Sequence, residues 1–247
     1  MKKIVILSAI VLGLYINPTC ANFKVIDIAT PDGFERTEAI ESSYADYLRN
    51  LYTKEKNVVE LWNGTVLPES IYQSLAVIDV PLLFKEDLEQ CADFSMRLWA
   101  EYLKSIDSLD RLGLYDFYGN KKSFLQSGKS FVDYLHWHMK YSNSYSIKLG
   151  ANKIRLLSNL RAGDMFVQND SEEGIGHVSV VVDEAVNSFG HKVYLVGYSF
   201  MPAQEFHIEK ASDEYGIEGW FTAFGYEQYA KELFGSFGEP VVMRFED

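Results

Sequence analysis

The spacing of hydrophobic residues divides this chain into a helical first half and a strand-rich second half. Apolar side chains recur every three or four positions, which predicts amphipathic helices, over residues 35–51, 87–104 and 131–139. In the second helix Asp87 and Gln90 form a capping-box pattern, so we expect that helix to begin at Asp87. Residues 107–129 are rich in Gly, Ser, Tyr and charge, which predicts a long loop.

Runs of β-branched and aromatic residues predict the strands of a sheet. Two of them, 177–185 and 192–200, are joined by a turn at 187–190, which indicates antiparallel pairing. The other predicted elements are a hairpin over 58–67, strands over 76–80, 165–168 and 241–245, and an aromatic helix after residue 220. Because no repeat or low-complexity linker interrupts the pattern, the simplest account is a single α+β domain over residues 22–247.

The first residues predict export from the cytoplasm. Lys2 and Lys3 precede an apolar run, and small residues around Ala21 offer a cleavage site, so residues 1–21 have the pattern of a signal peptide. The run is short for a membrane span and no other segment approaches that length, so we expect no transmembrane segment. A lipid anchor at Cys20 is the alternative. In both cases the mature protein would be periplasmic or on the cell surface.

Composition limits the class of protein and its partners. Apolar residues make up 47% of the chain and aromatic residues 15%, which is typical of a folded globular protein. The formal net charge of −12 argues against nucleic acid and anionic membranes as partners. The sequence has no glycine-rich phosphate loop, nucleotide fingerprint or cysteine–histidine spacing for zinc, so we expect neither a cofactor nor a metal.

Cys91 is the first candidate for chemistry, because it would be the single cysteine of the mature chain and lies near the start of a predicted helix. A helix N-terminus and a neighbouring imidazolium both favour the reactive thiolate. The best base is His177, which follows Gly176 and opens a β-branched strand. A buried, inert Cys91 and a strand-edge His177 bonded to water are the alternatives.

A third residue would orient the imidazole of His177. If the turn is centred on residues 188–189, position 177 pairs with about position 200, which would place Ser199 or Met201 on the same face as His177. Ser199 could then accept a hydrogen bond from the imidazole, and Gln204 is the other polar candidate. A slip of one residue would reverse this facing.

Several blocks of the chain resemble a bacterial family described as a domain of unknown function (number 4846). The resemblance covers nearly all of the predicted mature chain. The blocks that carry it are residues 47–51, 77–79, 91–93, 97–98, 100–103, 163–164, 166, 168, 176–177, 180–183, 199–204 and 207. The Met-Pro-Ala-Gln sequence at 201–204 is quite specific to that family. Membership of that family implies no particular activity.

A more distant similarity suggests a chemistry. A cysteine near a helix start, Gly-Asp before one strand and Gly-His-Val opening the next are similar to NlpC-type and CHAP-type cell-wall hydrolases. The similarity implies a papain-like α+β fold, with the nucleophile-bearing helix packed on an antiparallel sheet. By that similarity Cys91 would be the nucleophile, His177 the general base, and Ser199 or Gln204 the orienting group. Backbone N–H groups at the helix start would hold the oxyanion.

Two functions are therefore open. The first is an exported cysteine amidase or peptidase that cuts cell-wall peptide or amide bonds. The second is a non-catalytic periplasmic or surface module that binds glycan or peptide through a cleft and its tyrosines. The expected partner is a cell-wall peptide or glycopeptide. The hydrolase requires an accessible Cys91 thiol within hydrogen-bonding distance of the His177 imidazole.

Overall fold

The fold combines helices with antiparallel strands, in a computed structural model that describes residues 23–170 and 175–246. The predicted signal peptide and Cys20 lie outside these residues. The helices are α1 (Tyr44–Arg49), α2 (Cys91–Ser105), α3 (Phe124–Ser127), α4 (Phe131–Tyr141), α5 (Ser144–Gly150) and α6 (Ala223–Phe234). The strands are β1 (Phe34–Arg36), β2 (Ser74–Val77), β3 (Gly113–Tyr115), β4 (Lys121–Ser123), β5 (Asn152–Ile154), β6 (Met165–Gln168), β7 (His177–Asn187), β8 (Lys192–Tyr198), β9 (His207–Glu209), β10 (Gly216–Ile217), β11 (Trp220–Phe221) and β12 (Val241–Arg244).

Strand β7 is the centre of the main sheet. It pairs antiparallel with β8 on one side, and with β6 and β1 at different heights on the other. The main path runs β10-β11-β8-β7-β6-β12-β5, while β9 joins β2 to β8. Strands β3 and β4 form a separate hairpin. The predicted α+β class, with an antiparallel sheet, is therefore confirmed.

The sheet separates two hydrophobic layers, because alternate residues of a strand point to opposite faces. Val178, Val180 and Val182 of β7 belong to the larger layer, which is completed by α1, α2, α4 and α5. Val181 belongs to the smaller layer, where the sheet packs against α6 through residues such as Phe166 and Tyr226. Helix α2 and helix α6 thus lie on opposite faces of the same sheet.

The hairpin of β7 and β8 matches the predicted pairing at its far end. Val180 is opposite Gly197 and Val181 is opposite Val196, as a turn centred on residues 188–189 requires. The register then shifts beside Val182, which marks a β-bulge. The hairpin predicted over 58–67 turns at Asn63 and Gly64: the backbone N–H of Leu61 donates to Thr65 O at 2.9 Å, and Gly64 has a φ of +83°.

Three predicted elements differ in the structure. The helix predicted over 35–51 shortens to α1, because residues 34–36 pair with β7 as strand β1. Helix α2 begins at Cys91 with Gln90 as its N-cap, and the backbone N–H of Gln90 donates to the Asp93 carboxylate at 3.1 Å. The predicted loop at 107–129 contains β3, β4 and α3.

A buried carboxylate fastens the first elements to the sheet. Asp183 of β7 is fully buried and accepts hydrogen bonds from Nε of Arg36 at 2.7 Å and from Nε of Arg49 at 2.8 Å. Two cations around one carboxylate offset its desolvation cost. Strand β1 and helix α1 are therefore held on β7 by charge as well as by packing.

Candidate functional site

Cys91 is the first residue of α2 and is only 5% exposed. Its Sγ lies 3.8 Å from the carbonyl oxygen of Gly176, and it lines a cleft of about 370 Å³ together with Asp93, Ser144 and Met201. Burial raises the pKa of the Cys91 thiol to about 12, and the nearby Asp93 carboxyl adds to this, although hydrogen bonding from backbone N–H groups opposes it. The thiol is therefore protonated at neutral pH, despite its position at a helix N-terminus.

His177 is fully buried in the layer below α6. Its ring stacks on Phe234, with ring centroids 3.8 Å apart, and lies edge-on to Tyr198 at 5.0 Å. Nε2 is 2.9 Å from Oγ of Ser179, while Nδ1 has no hydrogen-bond partner among the described residues. Burial lowers the pKa of His177 to about 3, and the neighbouring His207 contributes to the lowering. The imidazole is a neutral member of an aromatic layer.

The structure does not bring the Cys91 thiol and the His177 imidazole together. Cys91 reaches the backbone of β7 from the α2 face, where Val178 points, whereas His177 points to the α6 face. The hydrogen bonds of the two side chains go to other groups, because adjacent strand residues face opposite sides of a sheet, and the catalytic pair stays a prediction. If β7 were shifted by one residue, the imidazole of His177 would point to the α2 face.

The two predicted orienting groups also bind elsewhere. Oγ of Ser199 donates to the carbonyl oxygen of Gln204 at 2.7 Å, which closes the turn after β8. The side-chain amide of Gln204 donates to the hydroxyl of Tyr72 at 2.7 Å. The rings near His177 on this side are Tyr198, the last residue of β8, and Phe200, just beyond that strand. Ser199 is therefore a turn-stabilising residue, and Gln204 supports a tyrosine.

Gly176 is needed where β7 passes the start of α5. A Cβ at this position would lie 2.0 Å from Oγ of Ser144 and 2.4 Å from the carbonyl oxygen of Gln168. Strand β7 and the start of α5 therefore approach each other closely at this glycine. The neighbouring Gly174 lies outside the described residues.

A cluster of buried polar groups lies beneath α6, near the end of β9. Glu209 is 4% exposed and accepts a hydrogen bond from the Tyr198 hydroxyl at 2.8 Å. Its Oε2 also lies 3.2 Å from Nε2 of His207. Tyr229 places its hydroxyl 3.3 Å from that of Tyr198, and the Tyr72 ring lies 4.1 Å from the His207 ring. Burial lowers the pKa of His207, although Glu209 opposes the lowering.

Glu209 and the three tyrosines of this cluster line a cleft that we call the aromatic cleft. It encloses about 520 Å³, and seven of its lining residues are aromatic: Tyr72, Tyr198, Phe200, Tyr215, Tyr229, Phe234 and Phe237. Ser70, Ile71, Gln73, Glu209, Lys210, Ser212 and Leu233 complete the lining. The cleft thus offers flat apolar faces above a buried carboxylate.

A side chain of the sheet anchors α6, which forms one wall of the aromatic cleft. The buried side-chain amide of Gln168 on β6 donates to three carbonyl oxygens, those of Ala230 at 3.1 Å, Phe234 at 3.1 Å and Gly238 at 2.8 Å. These carbonyls belong to the C-terminal end of α6 and the turn after it, where a helix leaves acceptors unsatisfied. Gln168 therefore fixes the Phe234 edge of the cleft.

The sequence patterns included His207 among the blocks that resemble the family, but they did not identify Glu209, Tyr72 or Tyr229. Glu209 carried one usable signal, since it lies two residues after His207 in a strand and so shares its face. Tyr72 and Tyr229 come from distant segments, one before β2 and one within α6. Their meeting depends on the order of the strands.

Residues 23–170 and 175–246 contain neither a candidate metal cluster nor a candidate membrane span. No group of three or more His, Cys, Asp or Glu side chains in this part of the chain could hold a metal ion. No helix there is long and apolar enough to cross a membrane.

Comparison with known proteins yields one match. A family model described as a domain of unknown function (4846) matches residues 26–125 and 115–232. No curated protein matches the chain significantly. No solved structure does so either, and the papain-like arrangement stays a prediction.

Proposed function

Since the chain belongs to the family described as a domain of unknown function (4846), a description that assigns no activity, we propose that it is a binding module whose ligand occupies the aromatic cleft. The ligand class is a neutral or cationic glycan or peptide fragment of the cell wall. Export by the predicted signal peptide would bring the protein to that ligand. The observation that carries the proposal is the set of seven aromatic side chains around buried Glu209.

The lining suits a ligand with both flat apolar faces and polar edges. Aromatic rings pack against the C–H faces of sugars or against apolar side chains, while their hydroxyls and Glu209 provide hydrogen-bonding groups. A carboxylate on the floor and a net charge of −12 disfavour an anionic ligand. Lys210 is exposed at the rim, where it can meet the polar edge of the ligand.

The contacts favour binding over cysteine hydrolysis. Hydrolysis by the predicted pair needs a thiolate and a base within reach of it. Cys91 is buried with a pKa raised to about 12, and His177 packs on Phe234 in the opposite layer. The same cell-wall fragments also test the hydrolase hypothesis, because a hydrolase would cleave them and a binding module would only bind them.

The test is calorimetric titration of the mature protein with soluble peptidoglycan fragments. We expect Tyr215→Ala and Phe237→Ala to weaken binding about tenfold, because each removes an aromatic face from the cleft wall. Tyr118→Ala and Phe189→Ala are matched controls, since both rings are exposed outside the cleft, and they should bind as the wild type does.

The same titrations discriminate the two functions. Cys91→Ala should bind the fragments with unchanged affinity if the chain is a binding module. Release of peptide by the wild type, together with its loss in Cys91→Ala, would overturn the proposal in favour of hydrolysis. Equal affinity of the cleft and control variants would also overturn it.

A further inference from the structure

A second cleft lies on the other face of the sheet, between α1, α2 and the end of β12. It encloses about 360 Å³ and receives three arginines, Arg111, Arg161 and Arg244. The chain has seven arginines and a net charge of −12. Arginines 36, 49 and 97 pair with buried or partly buried carboxylates elsewhere. Three of the remaining four therefore meet in one cleft of an acidic protein.

The arginines come from three separate segments. Arg111 lies in the loop after α2, Arg161 lies in the loop before β6, and Arg244 ends β12. Arg244 is fixed by the buried Asp164, to which its Nε donates at 2.5 Å and its Nη2 at 2.9 Å. The backbone N–H of Arg161 donates to the same carboxylate at 3.0 Å. Asp164, part of the Gly-Asp sequence, thus organises this side of the cleft.

Arg111 differs from the other two. Its side chain is exposed and has no hydrogen-bond or ion-pair partner within the described residues. An arginine without a carboxylate partner retains its full capacity to bind an anion in a bidentate manner.

Aromatic side chains form the floor of this cleft. The rings of Tyr44, Trp99 and Tyr102 are buried and pack in a triangle, with centroid distances of 5.1, 5.2 and 5.3 Å. Ile40 lines the same cleft and is 81% exposed. The floor and rim can therefore receive a flat apolar group next to the arginines.

Acidic groups also line the cleft, and they restrict the ligand. Asp164 is neutralised by Arg244, and Glu184 pairs with Lys192 at 3.1 Å. Glu38 is exposed at the edge. The balance favours an anion of low charge that gains part of its affinity from the apolar floor.

We propose that this cleft binds a small organic anion whose carboxylate or phosphate faces Arg111 and Arg161 and whose flat apolar body packs over Tyr44 and Trp99. This site is independent of the aromatic cleft, from which it is separated by the sheet. The two clefts also prefer opposite charges, so one ligand class does not serve both.

Calorimetric titration with four probes tests the site. Phenyl phosphate and benzoate carry the anion and the flat body, inorganic phosphate carries the anion alone, and benzylamine carries the flat body with a positive charge. We expect one or both aromatic anions to bind about tenfold tighter than inorganic phosphate and benzylamine. The tighter of the two identifies the head group. Affinity should fall as salt is raised.

The matched variants are Arg111→Gln and Arg155→Gln. Arg155 is an exposed arginine that does not line the cleft. Arg111→Gln should weaken binding of the aromatic anion about fivefold or more, a loss near 1 kcal/mol for an exposed charge, while Arg155→Gln should keep the wild-type affinity. Equal affinity for benzylamine and the anions, equal loss in both variants, or no loss in either would overturn the proposal. Titration of Arg111→Gln with cell-wall fragments distinguishes a failure of this proposal from a failure of the proposed function. The variant should bind those fragments with the wild-type affinity, because they occupy the aromatic cleft.

Discussion

The imidazole of His177 stacks on the ring of Phe234, with their centroids 3.8 Å apart and their planes inclined by 26°. This contact joins the first residue of β7 to the last residue of α6, the helix that walls the aromatic cleft. Ser179 satisfies one ring nitrogen, and no charged group bonds to the imidazole among the described residues. His177 is therefore a packing residue.

Stability should fall in mild acid because His177 is buried in its neutral form. Its pKa is about 3 in the folded protein, whereas an unfolded histidine titrates near 6.5. The unfolded chain binds this proton first, so the contribution is fully present above about pH 6.5 and is lost as the pH falls toward 3. Between pH 7 and pH 5 the loss from this residue is about 2 kcal/mol. Urea unfolding at the two pH values measures it.

The variant for that experiment is His177→Phe, which keeps an aromatic ring on Phe234 and removes the titrating group. Its loss of stability between pH 7 and pH 5 should be smaller than that of the wild type by about 2 kcal/mol. His191→Phe, at an exposed turn position, should retain the wild-type loss. An unchanged loss in His177→Phe would show that other groups determine the acid sensitivity.

Cys91 should react slowly with iodoacetamide throughout pH 5–9. The thiol is 5% exposed and its pKa is raised to about 12, so the thiolate is scarce over this range. Since the imidazole of His177 lies on the other face, His177→Phe should leave the rate and its pH dependence unchanged. A thiolate that titrates below about pH 7 in the wild type and higher in the variant would establish the coupled pair that the contacts contradict.

Asp183→Asn should destabilise the fold by about 3–5 kcal/mol, because it leaves the buried guanidinium group of Arg49 and the partly buried one of Arg36 without a compensating charge. Chemical denaturation measures the loss. Glu246→Gln is the matched control: it removes an exposed ion pair with Lys121 and should cost at most about 1 kcal/mol. Similar losses in the two variants would mean that the buried charges do not hold β1 and α1 on the sheet.

Gly176→Ala should destabilise the protein by about 1–3 kcal/mol, since the new methyl group would overlap Ser144 and the backbone of Gln168. Gly235→Ala provides the comparison, because a Cβ there would meet no atom within 4 Å and the backbone is right-handed. We expect that control to be neutral or slightly stabilising. Equal melting temperatures for both variants would contradict the close approach at Gly176.

Local patterns predicted the central hairpin well. The β-branched runs of β7 and β8 and the turn between them lie close in sequence, so a count from the turn gave the pairing of Val180 with Gly197. The same count could not settle which face His177 would take, because strand β8 ends at Tyr198 and Ser199 turns toward Gln204. The predicted catalytic site depended on the face to which His177 points.

Distant contacts account for the other differences. The predicted helix began at residue 35, but residues 35 and 36 pair with β7 instead, and Ile40 within the predicted range is 81% exposed. The aromatic cleft draws Tyr72, Tyr198 and Tyr229 from three segments. The sequence indicated abundant tyrosine, whereas the convergence of these three around Glu209 follows from strand order, which local patterns do not encode.

The opposite facing of Cys91 and His177 means that the direction of one strand residue decides whether a thiol and an imidazole can meet at this helix start. Inserting one residue between Gly176 and His177 would turn the imidazole to the side of the thiol, without altering the helix that carries the thiol. A shift in strand register, and not a rearrangement of the fold, therefore separates the two arrangements.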